Sequence, residues 1–346
     1  MNKEKVTIQD IADSLGLSRN TVSKALNNNP SIPDETRSKV VRKAIDMNYK
    51  QFALFEQEGT PAKKTGNIAL LTANMPNNSH FGTSLLSGLE QKISSEGFNL
   101  SIHIVRENEL DSSALPVNFD KSKVDGIVCI ELFDKSYSEF ITSFGIPTLF
   151  IDASAELTFS EMKADLLLME NIHSTSSLTK KLIDEGITEI GFIGDSRHCM
   201  SFNERWDGFT KAMNAARIDL DESFCILEDD RYIADYMWLK QRLASMTNLP
   251  PAFVCANDYI AINAIRILKD LNIQIPGEVR VCGFDNSPES RIVEPHLTTV
   301  HIHRSEMGFL AAEMLLSKIE NPGRPPLVTH VKTMPVFRQS TGHEEY

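Results

Sequence analysis

The sequence has no long apolar run and no excess of basic residues. None of its 346 residues belongs to a stretch of ~18 apolar side chains, the length that a membrane-spanning helix needs. The opening residues, MNKEKVTIQD, contain no apolar segment typical of a secretion signal, so we expect a cytoplasmic protein with no membrane partner. The 47 acidic residues outnumber the 35 basic ones and give a net charge of -12, which disfavours adhesion of the whole chain to nucleic acid.

Reactive residue types do not form a recognisable site. The five cysteines are odd in number and widely spaced, and most lie in apolar runs such as IVCI and FVCA, which favours buried thiols over disulfides or a metal site. The sequence also lacks G-x-G-x-x-G, G-x-x-x-x-G-K-[ST], a nucleophile elbow and a metal-spaced histidine pair. We therefore expect no catalytic residues, no metal and no cofactor.

Charge is distributed unevenly along the chain. Residues 1–50 hold nine basic and six acidic side chains, a net charge of +3, which leaves -15 for the remainder. Phosphate groups attract the first segment and repel the second. The sequence therefore predicts that only the N-terminal segment approaches DNA.

Residues 6–27, VTIQDIADSLGLSRNTVSKALN, have the pattern of two short helices joined by a tight turn. Gly16 ends the first helix, and Ser18 is placed to cap the second. Apolar residues recur at helical spacing on these two helices and on a third one, and they form the inward face of each. They are Ile8, Ile11, Ala12 and Leu15 on the first helix, Val22, Ala25 and Leu26 on the second, and Val40, Val41, Ala44 and Ile45 on the third. This spacing predicts a helix-turn-helix in a three-helix unit, with a generic three-helix bundle as the alternative.

The outward face of the second helix carries polar residues suited to DNA. They are Arg19, Asn20, Ser23, Lys24 and Asn27. Arg and Asn pair bidentately with guanine and adenine edges in the major groove, and the polar residues around them can contact phosphates. We therefore predict that this helix reads DNA sequence.

From Gly66 onward, short apolar runs alternate with helical stretches. The runs include NIALLTA, FNLSIHIV, VDGIVCI, IPTLFID, EIGFIGD, AFVCAND and VRVCGFDN. Such alternation predicts parallel sheets covered on both faces, and these strands are too many for one small sheet. The predicted fold class is α plus α/β: an N-terminal three-helix helix-turn-helix headpiece, then two doubly wound parallel-sheet lobes with a cleft between them.

Polar residues follow several of the predicted strands. They are Asp152, Asp195, Asn257, Asp258, Asp285 and Asn286. Open parallel sheets bind ligands beyond the carboxyl ends of their strands, although a residue at such a position is also a common helix cap. Convergence of several of them at one edge favours a ligand site in the cleft.

The segment VTIQDIADSLGLSRNTVSKALNNNPSIPDETRSKVVRKAIDMNY resembles the DNA-binding headpiece of the LacI/GalR family of bacterial transcription regulators. The elements that carry the resemblance are VTIQDIA, SRNTVSKALN and TRSKVVRKA. It implies base-reading positions at Arg19, Asn20 and Lys24. It also implies contacts with the DNA backbone from Thr7, Ser18, Thr21, Ser23 and Asn27.

The remaining chain is similar to the effector-binding core of that family, which itself resembles periplasmic sugar-binding proteins. The segments concerned are ERWDGFTKAM, CANDYIAINAI, VCGFDN, EPHLTTVHI and FRQST. The resemblance implies effector contacts from Phe81, Asp152, Arg205, Asn257 and Asp285. It also places Arg231 or Tyr232 where several members have an aromatic residue that stacks on the ligand.

The chemistry of this set favours a sugar or a related polyol. Carboxylates accept hydrogen bonds from paired hydroxyl groups, Arg and Asn side chains donate to them, and an aromatic face covers the apolar side of a pyranose ring. Two carboxylates in the cleft oppose a highly phosphorylated effector. A nucleobase or a sugar acid held by Arg205 is the alternative.

The segment KQFALFEQEGTPAKKTG is polar and is typical of a linker. In the family that it resembles, a linker leucine wedges into the minor groove, but counting from either side places Glu58 or Thr60 at that position. Either Leu54 or Phe55 takes the role in a shifted register, or the wedge is absent. The expected domains are the headpiece at 1–50, a hinge or linker at 51–66, and an effector-binding and dimerisation core at 67–346.

These patterns predict a sequence-specific transcriptional regulator, a repressor controlled by a small carbohydrate effector bound between the lobes. A two-fold operator needs two reading helices, so we expect a homodimer on double-stranded operator DNA. An enzyme is the first alternative and lacks its motifs. A solute-binding protein is the second, and the basic headpiece and missing secretion signal disfavour it.

Overall fold

The computed structural model describes residues 6–26, 29, 32–47, 66–74 and 80–344, with residues 34, 35, 41, 45, 46, 80 and 81 described through their backbone alone. The chain divides into two compact units, Met1–Lys64 and Thr65–Tyr346. The linker residues 51–65, including Leu54, Phe55, Glu58 and Thr60, lie outside the described residues. The domain limits inferred from the sequence therefore stay a prediction.

The described part of the N-terminal unit contains α1 (Ile8–Leu15), α2 (Arg19–Leu26) and α3 (Asp34–Asp46). Thr7 and Asp10 form a capping box at the start of α1, in which the Thr7 backbone N–H donates to the Asp10 carboxylate at 2.7 Å. Gly16 ends α1 with φ 65°, a left-handed conformation that suits glycine. The three helices bury Ile11, Ala12, Val22, Ala25, Val40 and Ala44. The predicted helix-turn-helix is confirmed.

The larger unit alternates strands and helices. In chain order they are β1 (Asn67–Thr72), α4 (His80–Ser95), β2 (Asn99–Ile104), α5 (Glu107–Asp111), β3 (Gly126–Ile130), α6 (Lys135–Thr142), β4 (Thr148–Ile151), β5 (Asp165–Met169), α7 (Ile172–Asp184), β6 (Ile190–Ile193), α8 (Met200–Ala215), α9 (Asp230–Ile233), α10 (Tyr236–Ala244), β7 (Ala252–Cys255), α11 (Asp258–Asp270), β8 (Arg280–Cys282), β9 (Thr299–His301), α12 (Arg304–Glu320), β10 (Val328–Val331) and β11 (Met334–Val336).

Two parallel sheets define two lobes. The first sheet has the order β10-β5-β4-β3-β1-β2, and every neighbouring pair in it is parallel. The second has the order β6-β7-β8, and single bridges connect it to β9, which pairs with β11 in antiparallel fashion. Strands β3, β4, β5, β6 and β7 are buried along their whole length, as expected when both faces of a sheet are covered. The predicted fold class is confirmed.

The chain crosses between the lobes three times within the described part of the core. It leaves the first sheet after β5, since α7 packs against α8 and β11. It returns after β9, since α12 packs on α4 and on the first-lobe strands β3, β4 and β5. It crosses again between β10 and β11. These three connections join the lobes covalently.

Helices α4 and α12 approach each other closely enough for their backbones to touch. A Cβ atom at Gly308 would lie 1.9 Å from the Leu85 carbonyl oxygen, and one at Gly88 would lie 2.0 Å from the Ser305 carbonyl oxygen. Neither distance is compatible with a side chain, so this crossing requires glycine on both helices.

All five cysteines are buried and free, as the sequence predicts. Burial raises the pKa of each thiol, so these residues stay protonated and act as small apolar side chains. Across the described residues, no helix is both long and apolar enough to cross a membrane.

Candidate functional site

Helix α2 presents the predicted base-reading residues on its surface. Arg19, Asn20 and Lys24 are exposed, whereas Val22 and Ala25 are buried. With 3.6 residues per turn, Asn20 and Lys24 lie one turn apart on the side opposite Val22. The helix therefore directs an amide and an ammonium group away from its core, with Arg19 at its first position.

The residues predicted to contact the DNA backbone include two helix caps. The Thr7 hydroxyl donates to the Asp10 carboxylate at 2.7 Å, and the Ser18 hydroxyl oxygen accepts the Thr21 backbone N–H at 3.0 Å. These contacts fix where α1 and α2 begin. Ser23 is half-buried, and Asn27 lies outside the described residues. The DNA contacts of these residues stay predictions.

A cavity of about 280 Å³ lies between the two lobes of the core, near the carboxyl ends of β3, β4, β5, β7 and β8. Open parallel sheets place ligand sites at such edges, and this volume is close to the lower end of the roughly 300–1,000 Å³ common for small-molecule sites. Four predicted effector contacts line it, namely Asp152, Arg205, Asn257 and Asp285. The fifth, Phe81, is in the first turn of α4, and its side chain is outside the described atoms.

Arg205, on α8, is 3% exposed and donates mainly to other groups of the protein. Its Nε donates to Asn171 Oδ1 at 2.9 Å, one terminal nitrogen donates to the Ala256 carbonyl oxygen at 2.7 Å, and the other lies 3.4 Å from Met169 Sδ. Its guanidinium carbon lies 3.8 Å from the centroid of the Phe284 ring, a cation–π contact. Because Met169 belongs to β5 and Ala256 follows β7, this side chain ties the two lobes together.

Asp152 also connects the lobes. It follows β4 with φ 62°, and its Oδ1 accepts the backbone N–H groups of Ala153 at 2.8 Å and Ser201 at 3.1 Å. The Cys199 side chain at the start of α8 provides no cap of its own, so a carboxylate from the first lobe satisfies the first turn of a second-lobe helix.

Asp285 follows β8 and faces Arg205, with 3.8 Å between its Oδ1 and a terminal guanidinium nitrogen. Burial raises the pKa of Asp285, and the positive charges of Arg205 and Arg304 oppose this shift. Asp258 lies behind it, where its carboxylate accepts the Thr299 hydroxyl at 2.5 Å and the Ser287 backbone N–H at 2.7 Å. Burial, followed by the charge of Asp285, raises the pKa of Asp258. Asp258 is therefore a support for the loop after β8 rather than a cavity residue.

Asn257 both caps α11 and lines the cavity. Its Oδ1 accepts the Ile260 backbone N–H at 2.9 Å. This hydrogen bond orients the amide, and among the described residues no acceptor engages its Nδ2 group, which can donate to a ligand.

Polar and aromatic side chains that sequence reasoning missed also line the cavity: Asn74, Glu131, Phe133, His198, Ser201, Phe202 and Asp230. Glu131 directly follows β3, as Asp152 follows β4, so the strand-end pattern could have identified it. The His198 ring lies between Phe133 and Phe202, with ring centroids 5.0 and 5.2 Å apart, and the three form an aromatic wall. Asp230 is placed by a distant contact, since the Asp195 carboxylate accepts its backbone N–H at 3.2 Å. No local pattern marks it.

Arg231 and Tyr232, which the resemblance places where several family members have a stacking aromatic residue, lie away from the cavity. Arg231 forms an ion pair with Asp229 at 2.9 Å and is exposed. Tyr232 is 54% exposed and stacks on Trp238. Neither lines the cavity, because α9 turns Asp230 inward instead.

Two family models match the chain. Residues 7–51 match the model described as "Bacterial regulatory proteins, lacI family", and residues 179–341 match "Periplasmic binding protein-like domain". The ribose operon repressor of Haemophilus influenzae is 26% identical over 337 residues, which cover 96% of this chain and 98% of that protein. The HTH-type transcriptional repressor PurR of Histophilus somni is 26% identical over 342 residues, with the same coverage.

Solved structures share the fold over nearly the whole chain. The complex of the transcriptional regulator CelR with cellobiose has a TM-score of 0.67 at 23% identity and covers 97% of this chain and 100% of that one. The lac repressor dimer bound to operator and the anti-inducer ONPF has a TM-score of 0.69 at 19% identity, with 98% and 99% covered. The class is thus that of helix-turn-helix regulators with a periplasmic-binding-protein-like core. The chain belongs to the lacI family of bacterial regulatory proteins.

Proposed function

We propose that the chain is a transcriptional repressor whose affinity for operator DNA changes when a carbohydrate or related polyol binds between its two lobes. The observation that carries this proposal is the convergence of Asp152, Arg205, Asn257 and Asp285, far apart in sequence, on one cavity of a chain that also presents a helix-turn-helix. The relatives named for a ribose operon and for a cellobiose complex support a sugar as the effector.

On the DNA side, Arg19, Asn20 and Lys24 read base edges in the major groove. Arg19 suits guanine and Asn20 suits adenine, because each forms bidentate pairs with that base. The proposed contacts with the DNA backbone come from Thr7, Ser18, Thr21, Ser23 and Asn27. The protein acts as a homodimer, because a two-fold operator is read by two symmetry-related helices. It acts in the cytoplasm.

On the effector side, Asp285 and Asp152 accept hydrogen bonds from hydroxyl groups, and Asn257 donates. The rings of Phe133 and Phe202 cover the apolar face of the ligand. Arg205 acts chiefly as a positioning residue, because three of its nitrogens already contact the protein. The terminal nitrogen that donates to Ala256 also faces Asp285, with 3.8 Å between it and Asp285 Oδ1.

The lobes provide the means of control. Contacts such as that of Asp152 with Ser201 span the cleft beside the cavity, so a ligand that adds further cross-cleft contacts stabilises the arrangement in which they form. A ligand shifts such an equilibrium by its difference in affinity for the two arrangements. Operator affinity changes with that equilibrium.

The test is a thermal-shift screen of the full chain against sugars and polyols, followed by operator titrations with and without each hit. A ligand at about 100 times its Kd adds about 2.7 kcal/mol to the stability of the state that it binds. The hit is expected to change operator affinity at least about fivefold. Asp207→Asn, an exposed change on α8 outside the cavity, should preserve both responses, whereas Asp285→Asn should lose them. A hit that stabilises the chain and leaves operator affinity unchanged would contradict the proposal.

A further inference from the structure

A chain of polar contacts connects an edge strand of the first lobe with the cavity. Glu204, on α8, precedes Arg205 in sequence but does not line the cavity. Its Oε1 lies 2.9 Å from His330 Nε2, and its Oε2 accepts a hydrogen bond from Asn171 Nδ2 at 2.8 Å. Because His330 belongs to β10 of the first lobe and α8 belongs to the second, Glu204 joins the two lobes at a point outside the cavity.

Asn171 is the next member of this chain and is fully buried in the crossover between β5 and α7. Its side chain does not cap α7. Its Nδ2 donates to Glu204 and also to the Met169 carbonyl oxygen at 2.8 Å, whereas its Oδ1 accepts from Arg205 Nε at 2.9 Å. A carboxylate only accepts and a guanidinium only donates. The amide therefore has one orientation, with its NH₂ group toward Glu204 and its oxygen toward Arg205.

Asn171 in turn helps to fix the position of the Arg205 guanidinium. One terminal nitrogen of that group lies 3.8 Å from Asp285 Oδ1, and its carbon lies 3.8 Å from the centroid of the Phe284 ring. Asp285 lines the cavity and is a proposed contact for effector hydroxyl groups. A binding side chain keeps its geometry through the hydrogen bonds of the residues that support it. The placement of Asp285 thus depends on contacts made outside the cavity.

Loss of the Glu204 carboxylate would disturb this support. Among the described residues, only Glu204 and Met169 accept hydrogen bonds from the Asn171 amide, so one of its N–H groups would be buried without an acceptor. A buried donor left unpaired costs more free energy than the hydrogen bond itself contributes. Rotation of the amide toward another acceptor relieves this cost, and Arg205 Nε then loses its partner.

We propose that Glu204 is a positioning residue for the effector site, acting through Asn171 on Arg205 and thereby on Asp285. Its contact with His330 makes this placement depend on the arrangement of the two lobes. The inference rests on the proposed function, since it assigns how the same cavity is held in its binding geometry.

The first measurement needs no ligand and observes Arg205 directly. In a proton–nitrogen correlation NMR spectrum of the full chain, the Nε–H signal of Arg205 is identified by its absence in Arg205→Met. Glu204→Met keeps the side-chain length without the two oxygens, and it should shift this signal or broaden it beyond detection. Glu204→Gln can still accept from Asn171 and should restore the signal. Glu204→Leu provides the same comparison in case Glu204→Met does not fold.

Ser174→Ala is the matched control for a purely structural role. It removes a buried hydrogen bond of 2.8 Å between Ser174 and Thr333, close in sequence to the same crossovers, and it leaves the contacts of Arg205 in place. Both Ser174→Ala and Glu204→Met should lower the urea midpoint, but only Glu204→Met should change the Arg205 signal. An unchanged signal in Glu204→Met, or an equal change in Ser174→Ala, would overturn the inference.

The second measurement tests the consequence for binding. Calorimetry of the full chain with ribose, glucose, galactose and cellobiose gives the wild-type affinities, and the sugar that binds most tightly is then titrated into the variants. Glu204→Met should weaken its binding by at least about tenfold, a difference of 1.4 kcal/mol, whereas Glu204→Gln and Ser174→Ala should stay within about threefold of the wild type. Equal affinity in Glu204→Met and the wild type overturns the inference and leaves the carbohydrate effector intact. A panel in which no sugar binds overturns the proposed function, and the Arg205 signal then decides the inference.

Discussion

Replacement of Arg205 by methionine should destabilise the larger unit, because this side chain is both buried and a link between the lobes. The change removes hydrogen bonds to Asn171 and Ala256 and the cation–π contact with Phe284. Hydrogen bonds from a charged donor contribute about 1.5–3 kcal/mol each, and loss of one partner of a buried ion pair typically costs about 3–5 kcal/mol. Since methionine retains part of the packing, we expect a loss of about 3–5 kcal/mol in the free energy of unfolding.

Asp285→Asn tests the electrostatic part of this reasoning. Burial raises the pKa of Asp285, so the ionised group costs free energy, and Arg205 keeps its contacts with Asn171, Ala256 and Phe284 when residue 285 is neutral. The change alone should therefore alter stability by less than about 1 kcal/mol. The double variant carries both Arg205→Met and Asp285→Asn, so the loss of Arg205 no longer leaves the charge of Asp285 unpaired. The double variant should therefore be more stable than the single variant Arg205→Met by about 1–2 kcal/mol.

Urea denaturation monitored by tryptophan fluorescence measures both effects. The chain has two tryptophans, Trp206 and Trp238, and both lie in the larger unit, so the signal reports its unfolding without interference from the headpiece. Trp206 packs against Phe192 and Phe209 inside the fold. An Arg205→Met variant within about 1 kcal/mol of the wild type, or a double variant with no recovery, would refute this view of Arg205.

Three other predictions concern packing, DNA reading and pH. Gly308→Ala should destabilise the core by at least about 2 kcal/mol in the same urea assay, because its Cβ would lie 1.9 Å from the Leu85 carbonyl oxygen; Gly323→Ala, with no atom within 4 Å, is the neutral control. Arg19→Ala should weaken operator binding by roughly 1–3 kcal/mol and leave random DNA nearly unaffected; equal weakening in anisotropy titrations would mark a phosphate contact. Burial raises the pKa of the Glu131 carboxyl group in the folded chain above its ordinary 4.5, so this group binds a proton more tightly in the folded state than in the unfolded state. The folded state therefore loses stability as pH rises through the raised pKa. Glu131→Gln should remove that part of the pH dependence of Tm and add about 1 kcal/mol near pH 7; identical pH profiles would contradict this assignment.

Local patterns were sufficient to predict the headpiece and several of the cavity residues. The helix-turn-helix depends on neighbouring residues, such as the Thr7–Asp10 capping box and Gly16. Asp152, Asn257 and Asp285 lie within three residues of the end of a strand, and parallel strands place their carboxyl ends at one edge. Their convergence therefore follows from the alternation of strands and helices.

The rest depends on contacts between residues distant in sequence. Asp230 reaches the cavity because Asp195, on another loop, holds its backbone. Arg205 was predicted to contact the effector, yet most of its donors are used by Asn171, Ala256 and Met169. The return of α12 and β10 to the first lobe is likewise set by packing over the whole core. Such contacts leave no local pattern.

The central claim is that this chain reads a specific DNA sequence, and selection from random duplex DNA tests it most directly. Full-length protein is incubated with the pool at about 150 mM salt, because phosphate contacts alone dominate at low salt. We predict enrichment of a two-fold symmetric site that binds at least about 10³-fold more tightly than a scrambled duplex of equal length. Failure to enrich any sequence, or equal affinity for the enriched and scrambled duplexes, would contradict the claim.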